Sequence, residues 1–346
     1  MGINIEYEEI ESVLEQILGN PISFENMVNR MISEGTDFSM GKWMKMLGNI
    51  LLQQLRDNGR NIGYLCLLIL SAAVLATIAK AFKSRQISDM GFYMIFLMMF
   101  LILMKSFGAC YELTASVITD LTDFMKVLMP AYLMAAAVSA YRITAVAYYE
   151  GFLLLVYYLQ KMTEHFLLPA IRAYVLLAML GHLEKEAFLS KGRESLKKLI
   201  SFILKAMIGV TTGFQMIQGM ISPAIDEMKH TVFSKGVSSL GNIGNVTQNV
   251  TDVILGSGAL LKNGIGVAAA AVIVSICLVP VVQTACYVVF YQILAVVAEP
   301  ISDKRLIGII GEAGEGIGLL VKLLLTVLAI FLLTIAIVCV TTGGIL

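Results

Sequence analysis

Ionisable side chains are scarce inside the long apolar runs of this 346-residue chain, so the few that occur there mark where chemistry could reside. Glu150, Arg172, Lys205 and Lys105 each interrupt such a run. A charge near the centre of a bilayer costs roughly 3 kcal/mol on insertion scales, which makes each of them a functional candidate by default. If the runs at 143–160 and 166–183 form an antiparallel hairpin turning near Thr163, Glu150 and Arg172 differ in depth by about one helical turn, a gap an Arg side chain can span. That geometry predicts a buried ion pair. Two roles are open to it: a solute or ion site, or a tie between helices whose charges otherwise snorkel to the nearer interface. His165, His182 and His230 fall at the ends of runs and form no chain of titratable groups, so no proton relay is read.

The second chemistry-bearing element is the stretch 236–263, GVSSLGNIGNVTQNVTDVILGSGALLKN. Leu240, Ile243, Val246, Val250 and Val253 recur at helical spacing, and Ser238, Ser239, Asn242, Asn245, Gln248, Asn249 and Asp252 supply a mostly uncharged polar face. Such a face suits a pore lining, a re-entrant element or a partner contact, and equally an amphipathic helix on the outer membrane surface. Glycines cluster on both sides of the next apolar region. Gly256, Gly258, Gly264 and Gly266 lead into the run from 264, and Gly308, Gly311, Gly314, Gly316 and Gly318 lead into the last one, where they permit a hinge or close backbone approach. Gly209-Val-Thr-Thr-Gly213 fits a small-xxx-small helix contact.

Enzymatic chemistry finds no such support. HExxH, GxxxxGK[ST] and GxSxG are absent, and Gly314-Glu-Gly-Ile-Gly318 has the wrong spacing for a dinucleotide fingerprint. The five cysteines, Cys66, Cys110, Cys277, Cys286 and Cys339, form no CxxC or Cys/His cluster and read as small packing residues. No catalytic residue, metal or cofactor is expected. Lys+Arg and Asp+Glu both total 25, with no long basic block, which argues against nucleic acid as a partner.

The elements that must position these residues follow from composition. The chain is 58% hydrophobic and 14% charged, with mean hydropathy +0.82, whereas soluble domains run near a quarter charged. The bilayer is therefore the expected solvent, and the fold class an all-α polytopic bundle. Nine apolar runs stand out, at 62–79, 90–108, 127–141, 143–160, 166–183, 200–222, 264–282, 283–298 and 317–341. The pairs flanking Arg142 and Pro280 could each be two crossings, a re-entrant hairpin or a kinked helix, which gives about seven to nine crossings. Four regions result: an acidic amino-terminal region with an interfacial helix (1–60), a first bundle (61–222), the polar, Gly-rich external or re-entrant segment (223–263) and a last bundle (264–346). Within the first, Ile10, Val13, Leu14, Ile17 and Leu18 predict a short amphipathic helix that docks on a partner or on the rest of the chain. The acidic start, Met1 to Glu15, does not read as a cleavable signal peptide.

Lys and Arg are retained on the cytoplasmic side. That places the loop with Lys80, Lys83 and Arg85, and the one at 183–199 with Lys185, Lys191, Arg193, Lys197 and Lys198, inside. Counting crossings from there puts the amino terminus, 223–263 and 299–316 outside.

The residues also resemble the stage III sporulation protein AE family of endospore-forming bacteria. PAYLMAAAVSA (130–140), FLLPAIRAYVLLAML (166–180), KHTVFSKGVSSLGNIGNVTQNVTDVILGSGALLKNGIG (229–266) and EPISDKR (299–305) carry the resemblance, which covers most of the chain from about residue 40. It implies a multi-pass, permease-like protein in the mother-cell-derived outer forespore membrane, part of the channel complex that joins mother cell and forespore and supports late forespore gene expression. Its partners would be the other stage III A operon membrane proteins, a forespore membrane protein and the lipid bilayer, with homo-oligomers open to it. The acidic start and 223–263 would face the space between the two membranes. Family members usually begin with a signal peptide, a point on which this start departs. Three roles compete: a conducting or gating element lined by 238–252, a membrane scaffold, and an independent secondary transporter using Glu150 and Arg172.

Overall fold

The repeat of Ile10, Val13, Leu14 and Ile17 gives helix α1 (Glu8–Leu18) one apolar face, and that face docks on the rest of the chain. Ile10 and Leu14 are fully buried, as are Phe24 and Val28 of α2 (Phe24–Ser33), whose Phe24 ring meets Phe124 edge-on at 6.5 Å. Phe124 belongs to α3 (Arg85–Ala140), followed by α4 (Ala145–Met162), a π-helical turn (Thr163–Leu167), α5 (Leu168–Leu180), α6 (Ala187–Val237), α7 (Gly244–Ala298) and α8 (Lys304–Thr342). This computed structural model describes residues 8–18, 23–33, 85–140, 145–182, 187–237, 244–300 and 303–342, with single helical positions between 63 and 74. The described residues contain no strand.

Five stretches among them are long and apolar enough to cross a membrane: Met90–Tyr132, Glu150–Leu180, Lys191–Ile217, Asn263–Ala298 and Lys304–Ile337. Three pairs of apolar runs that the sequence separates each form one continuous rod, which reduces nine runs to six, and the run at 62–79 lies mostly outside the described residues. Hydropathy breaks at polar or proline positions, but the backbone does not. In α3 the hydroxyls of Ser106, Thr114, Thr119 and Thr122 donate to the carbonyls four residues back, so they carry their own hydrogen-bond partners into the helix. At Pro280 the helix loses an N–H and with it the bond to the Ile276 carbonyl, yet it continues, and Thr284 Oγ1 donates to the Pro280 carbonyl at 2.8 Å. Between α4 and α5 the chain widens into the π turn, with Leu168 N–H reaching the Thr163 carbonyl. Pro169 follows immediately, and its ring would clash with the carbonyl four residues earlier in a regular α-helix.

Contacts along α8 set the direction of every other helix. Arg305 lies over the Phe92 ring, and Gly316 meets Phe107, so α3 runs with α8. Arg193 pairs with Glu312, Lys197 with Glu315 and Gln215 with Thr334, so α6 does too. His182 meets Gly308 and Val175 meets Gly316, while Tyr291 meets Gly314; α5 and α7 therefore run the opposite way. The result is an up-and-down bundle around α8, in which Ile309, Ala313, Ile317, Leu320, Leu324, Ile330 and Phe331 are completely buried. We call the end where α5 passes to α6 and α7 to α8 the foot, and the opposite end the head.

This arrangement corrects one expectation. The acidic stretch 299–316 was expected on the opposite side from 183–199, yet the ion pairs of Glu312 and Glu315 put both at the foot. One crossing fewer between 264 and 298 is the reason. Lys191–Ile217 still ends, and Asn263–Ala298 begins, at the head. Neither 222/223 nor 263/264 interrupts a helix: α6 continues to Val237, 20 residues or about 30 Å past Ile217.

Candidate functional site

At the foot, α5, α6 and α8 bring together two carboxylates, two cations and a phenol. Glu312 and Glu315 lie one turn apart on α8, so their side chains leave the helix on neighbouring faces and repel unless compensated. Arg193 and Lys197, one turn apart on α6, supply the compensation: Arg193 Nη1 donates to Glu312 Oε1, and Lys197 Nζ donates to Glu315 Oε2 at 2.5 Å. Between the carboxylates stands the hydroxyl of Tyr174 from α5, 3.2 Å from Glu312 Oε2 and 2.9 Å from Glu315 Oε2. The Tyr174 ring is buried and fixes that position. His182 completes the group, with Nε2 shielded from solvent, 3.9 Å from Glu312 Oε1 and without a hydrogen-bond partner.

The glycines ahead of the last apolar run make this convergence physically feasible. A Cβ on Gly308 would lie 2.3 Å from His182 Cε1, and one on Gly316 would lie 2.1 Å from Val175 Cγ2. Both positions allow α5 to approach α8 more closely than any side chain permits. A Cβ on Gly314 would lie 3.3 Å from the Tyr291 Cβ, a tight contact, and Gly311 faces open space. Both lie inside a continuous helix, as do Gly264 and Gly266, which are buried in α7.

Burial grades the two ion pairs. Glu312 is 15% exposed and Glu315 49%, so the Arg193 pair is partly withdrawn from water while the Lys197 pair is screened and worth little on its own. At the same height α3 and α7 turn Leu101, Val289 and Ile293 outward. The charged groups thus lie beside an apolar band, not beyond it. Below them Asp303 caps α8, accepting from the Arg305 N–H at 2.9 Å and from its guanidinium at 3.1 Å. Burial raises the Asp303 pKa, but the hydrogen bonds and charge of Arg305 outweigh it and hold the carboxyl below its ordinary value.

The cluster can pair two adjacent carboxylates with two cations, clamp three helices, and present Glu315 to water. Among the described residues, no group of three or more His, Cys, Asp or Glu side chains could hold a metal. Cys110, Cys277 and Cys286 are buried free thiols.

Glu150 and Arg172 are not brought together. The chain does not turn at Thr163 but continues through the π turn, leaving them 22 residues, about 33 Å, apart along one rod. Arg172 instead lies over the Tyr111 ring of α3 at 5.9 Å. Asn245, Gln248, Asn249, Asp252, Gly256 and Gly258 fall in the first half of α7. Ser238, Ser239 and Asn242 lie outside the described residues, as does the interfacial helix expected towards the end of 1–60. Sequence reasoning weighed Glu312, Glu315, Arg193 and Lys197 only as loop charges. The signal available was their matched spacing, acids three apart and bases four apart, each at the mouth of an apolar run.

Comparison with known proteins gives two findings. Residues 22–342 match the protein family described as stage III sporulation protein AE. The stage III sporulation protein AE of Bacillus subtilis (strain 168) is 20% identical over 326 residues, covering 94% of this chain and 81% of that protein. No solved structure matches.

Proposed function

The chain belongs to the stage III sporulation protein AE family, and on that premise we propose that it is an integral, permease-like membrane component of the channel complex joining mother cell and forespore. It resides in the outer forespore membrane, with the foot towards the mother-cell cytoplasm. The head, carrying 223–263, then faces the space between the membranes, where the other stage III A operon proteins and a forespore membrane protein are its partners. The positive charges of 183–199 at the foot support this orientation.

One observation carries the reading: the polar foot and the core above it differ. The ionic cluster gives the bundle a partly hydrated mouth within its apolar band, yet Leu319, Leu320, Leu323, Leu324, Val327 and Ile330 fill the height above it with almost no exposure. Among the described residues a single copy has a polar entrance and no polar path above it. Passage of solute therefore belongs to the assembled complex, to which this chain contributes a membrane-embedded wall and docking surfaces.

Small-solute flux through liposomes tests this reading. The purified protein alone should give no flux above that of protein-free vesicles, and co-reconstitution with its operon partners should open one. Flux from the isolated chain, blocked by a bulky thiol reagent at Asn245→Cys in a cysteine-free background, would instead make it a self-contained pore lined by 238–252.

A further inference from the structure

Two exposed stripes, one on α3 and one on α6, carry charges that among the described residues are unpaired or paired only within their own helix. On α3 the stripe runs through Met94, Met98, Leu101 and Lys105 at three- or four-residue spacing and, two turns further on, to Glu112, all exposed. On α6 it runs through Glu194, Lys198, Phe202 and Lys205 to Gly209. Among the described residues, Lys105, Glu112 and Lys205 make no hydrogen bond or ion pair, and Glu194 pairs only with Lys198 of its own helix, both well exposed. Charges left on an apolar membrane face demand a partner.

Their heights match. Phe107 stands level with Gly316, so Glu112 lies five residues, about 7.5 Å, above that level and Lys105 about 3 Å below it. Lys197 stands level with Glu315, so Lys205 lies about 10.5 Å above the Gly316 level and Glu194 about 6 Å below it. Acid on one stripe thus meets base on the other at both heights, to within about 3 Å, with the two helices running in the same direction. The surface of α6 is also shaped for a helix. Among the described residues nothing lies within 4 Å of a Cβ placed on Gly209 or Gly213, so the small-xxx-small pattern is free to meet a neighbour.

From this we infer that a second copy of the chain packs its α3 against α6 of the first, pairing Glu112 with Lys205 and Lys105 with Glu194 over the Gly209–Gly213 surface. The contact joins unlike faces, so each copy keeps one face of each kind free, and repetition closes a ring or extends a row in the membrane. The inference concerns self-association and stands whatever the complex transports.

The test uses full-length, cysteine-free protein in membranes, with two differently tagged copies, one Glu112→Cys and the other Lys205→Cys, treated with a short thiol crosslinker. The expected product is a mixed-tag dimer, absent when the second copy carries Leu154→Cys on the exposed face of α4. Glu112→Lys or Lys205→Glu alone should lower the associated fraction in nanodiscs about tenfold, and the double reversal should restore it. A mixed-tag dimer no more abundant than the Leu154→Cys control overturns the inference, as do crosslinks only to other proteins. Should a single reversal fail to fold, the cysteine pair, which leaves every other charge in place, decides.

Discussion

At the foot of the α6–α8 interface Arg193 and Lys197 face Glu312 and Glu315 as full charges, whereas at its head Gln215 donates from its amide to the Thr334 hydroxyl at 2.5 Å. The two fastenings are 19 residues of α8 apart, about 28 Å. Between them Ile200, Leu204 and Met207 of α6 pack on the buried leucines of α8. The foot is half open, and its groups have compensating charges; the head is closed, and Gln215 Oε1 and Thr211 Oγ1 there have no partner. Where water reaches, the bundle can use ions, because solvent covers most of what the partners leave unmet, the shielded His182 Nε2 being the exception. Where it does not, only neutral groups are tolerated, and those incompletely. The ionic foot specifies which helices meet, while the head contributes little beyond packing.

The sharpest way to break the foot is steric. Gly316→Ala should cost about 2–3 kcal/mol, because its Cβ would fall 2.1 Å from Val175 Cγ2 in a packed core, and Val175→Ala should recover most of the loss. Denaturation in mixed detergent micelles, followed by helical circular dichroism, reads both. Next in size is Glu312→Ala, which leaves Arg193 and the buried Tyr174 hydroxyl facing one carboxylate instead of two. About 2 kcal/mol is expected from losing hydrogen bonds to a charged group, and rescue by Glu312→Asp would show that the carboxylate matters more than the bulk.

The head should respond in the opposite sense. Gln215→Met removes the orphan Oε1 and keeps the volume, and Thr334 still donates to the Ile330 carbonyl. Stability should change by less than about 1 kcal/mol and could rise, since deleting an unsatisfied buried group offsets the lost hydrogen bond. A loss as large as that from Glu312→Ala would erase the contrast between the two ends. The smallest effect is expected below the cluster. Asp303→Asn keeps the cap but loses the charge, for a few tenths of a kcal/mol at neutral pH. Because the Asp303 pKa is lowered in the folded state, its contribution is present above the unfolded carboxylate pKa and lost as pH falls through the folded one. Wild type and variant should therefore converge in acid, and a gap that persists there would exclude the charge as the cause.

Much of the fold was legible because its determinants are local. The period of Ile10, Val13, Leu14 and Ile17 specifies a buried face, and runs such as 317–341 specify spanning helices. Joining the runs was harder. Proline at 169 and 280 and the Thr-rich stretch of α3 look like boundaries to hydropathy, but a π turn accommodates Pro169, the helix runs on through Pro280, and the α3 hydroxyls bond carbonyls of their own helix, so the helices continue. The misplaced Glu150–Arg172 pair and the misplaced side of 299–316 both descend from that one misreading. The cluster itself was out of reach for another reason. Glu312 and Arg193 are 119 residues apart, and only the packing of α5 and α6 on α8 makes them neighbours. Gly308 and Gly316 were legible as sites of close approach, though not what would approach them.

The central claim is that the cluster binds 183–199 and 299–316 at one face of the membrane, with the head of α6 and α7 at the other. Sided labelling tests it most directly: single cysteines at Lys191, Lys304 and Asn245, in an otherwise cysteine-free chain, exposed to a membrane-impermeant thiol reagent from each side. Lys191→Cys and Lys304→Cys should label from the same side and Asn245→Cys from the other. Labelling of Lys304→Cys together with Asn245→Cys, opposite Lys191→Cys, would contradict the account.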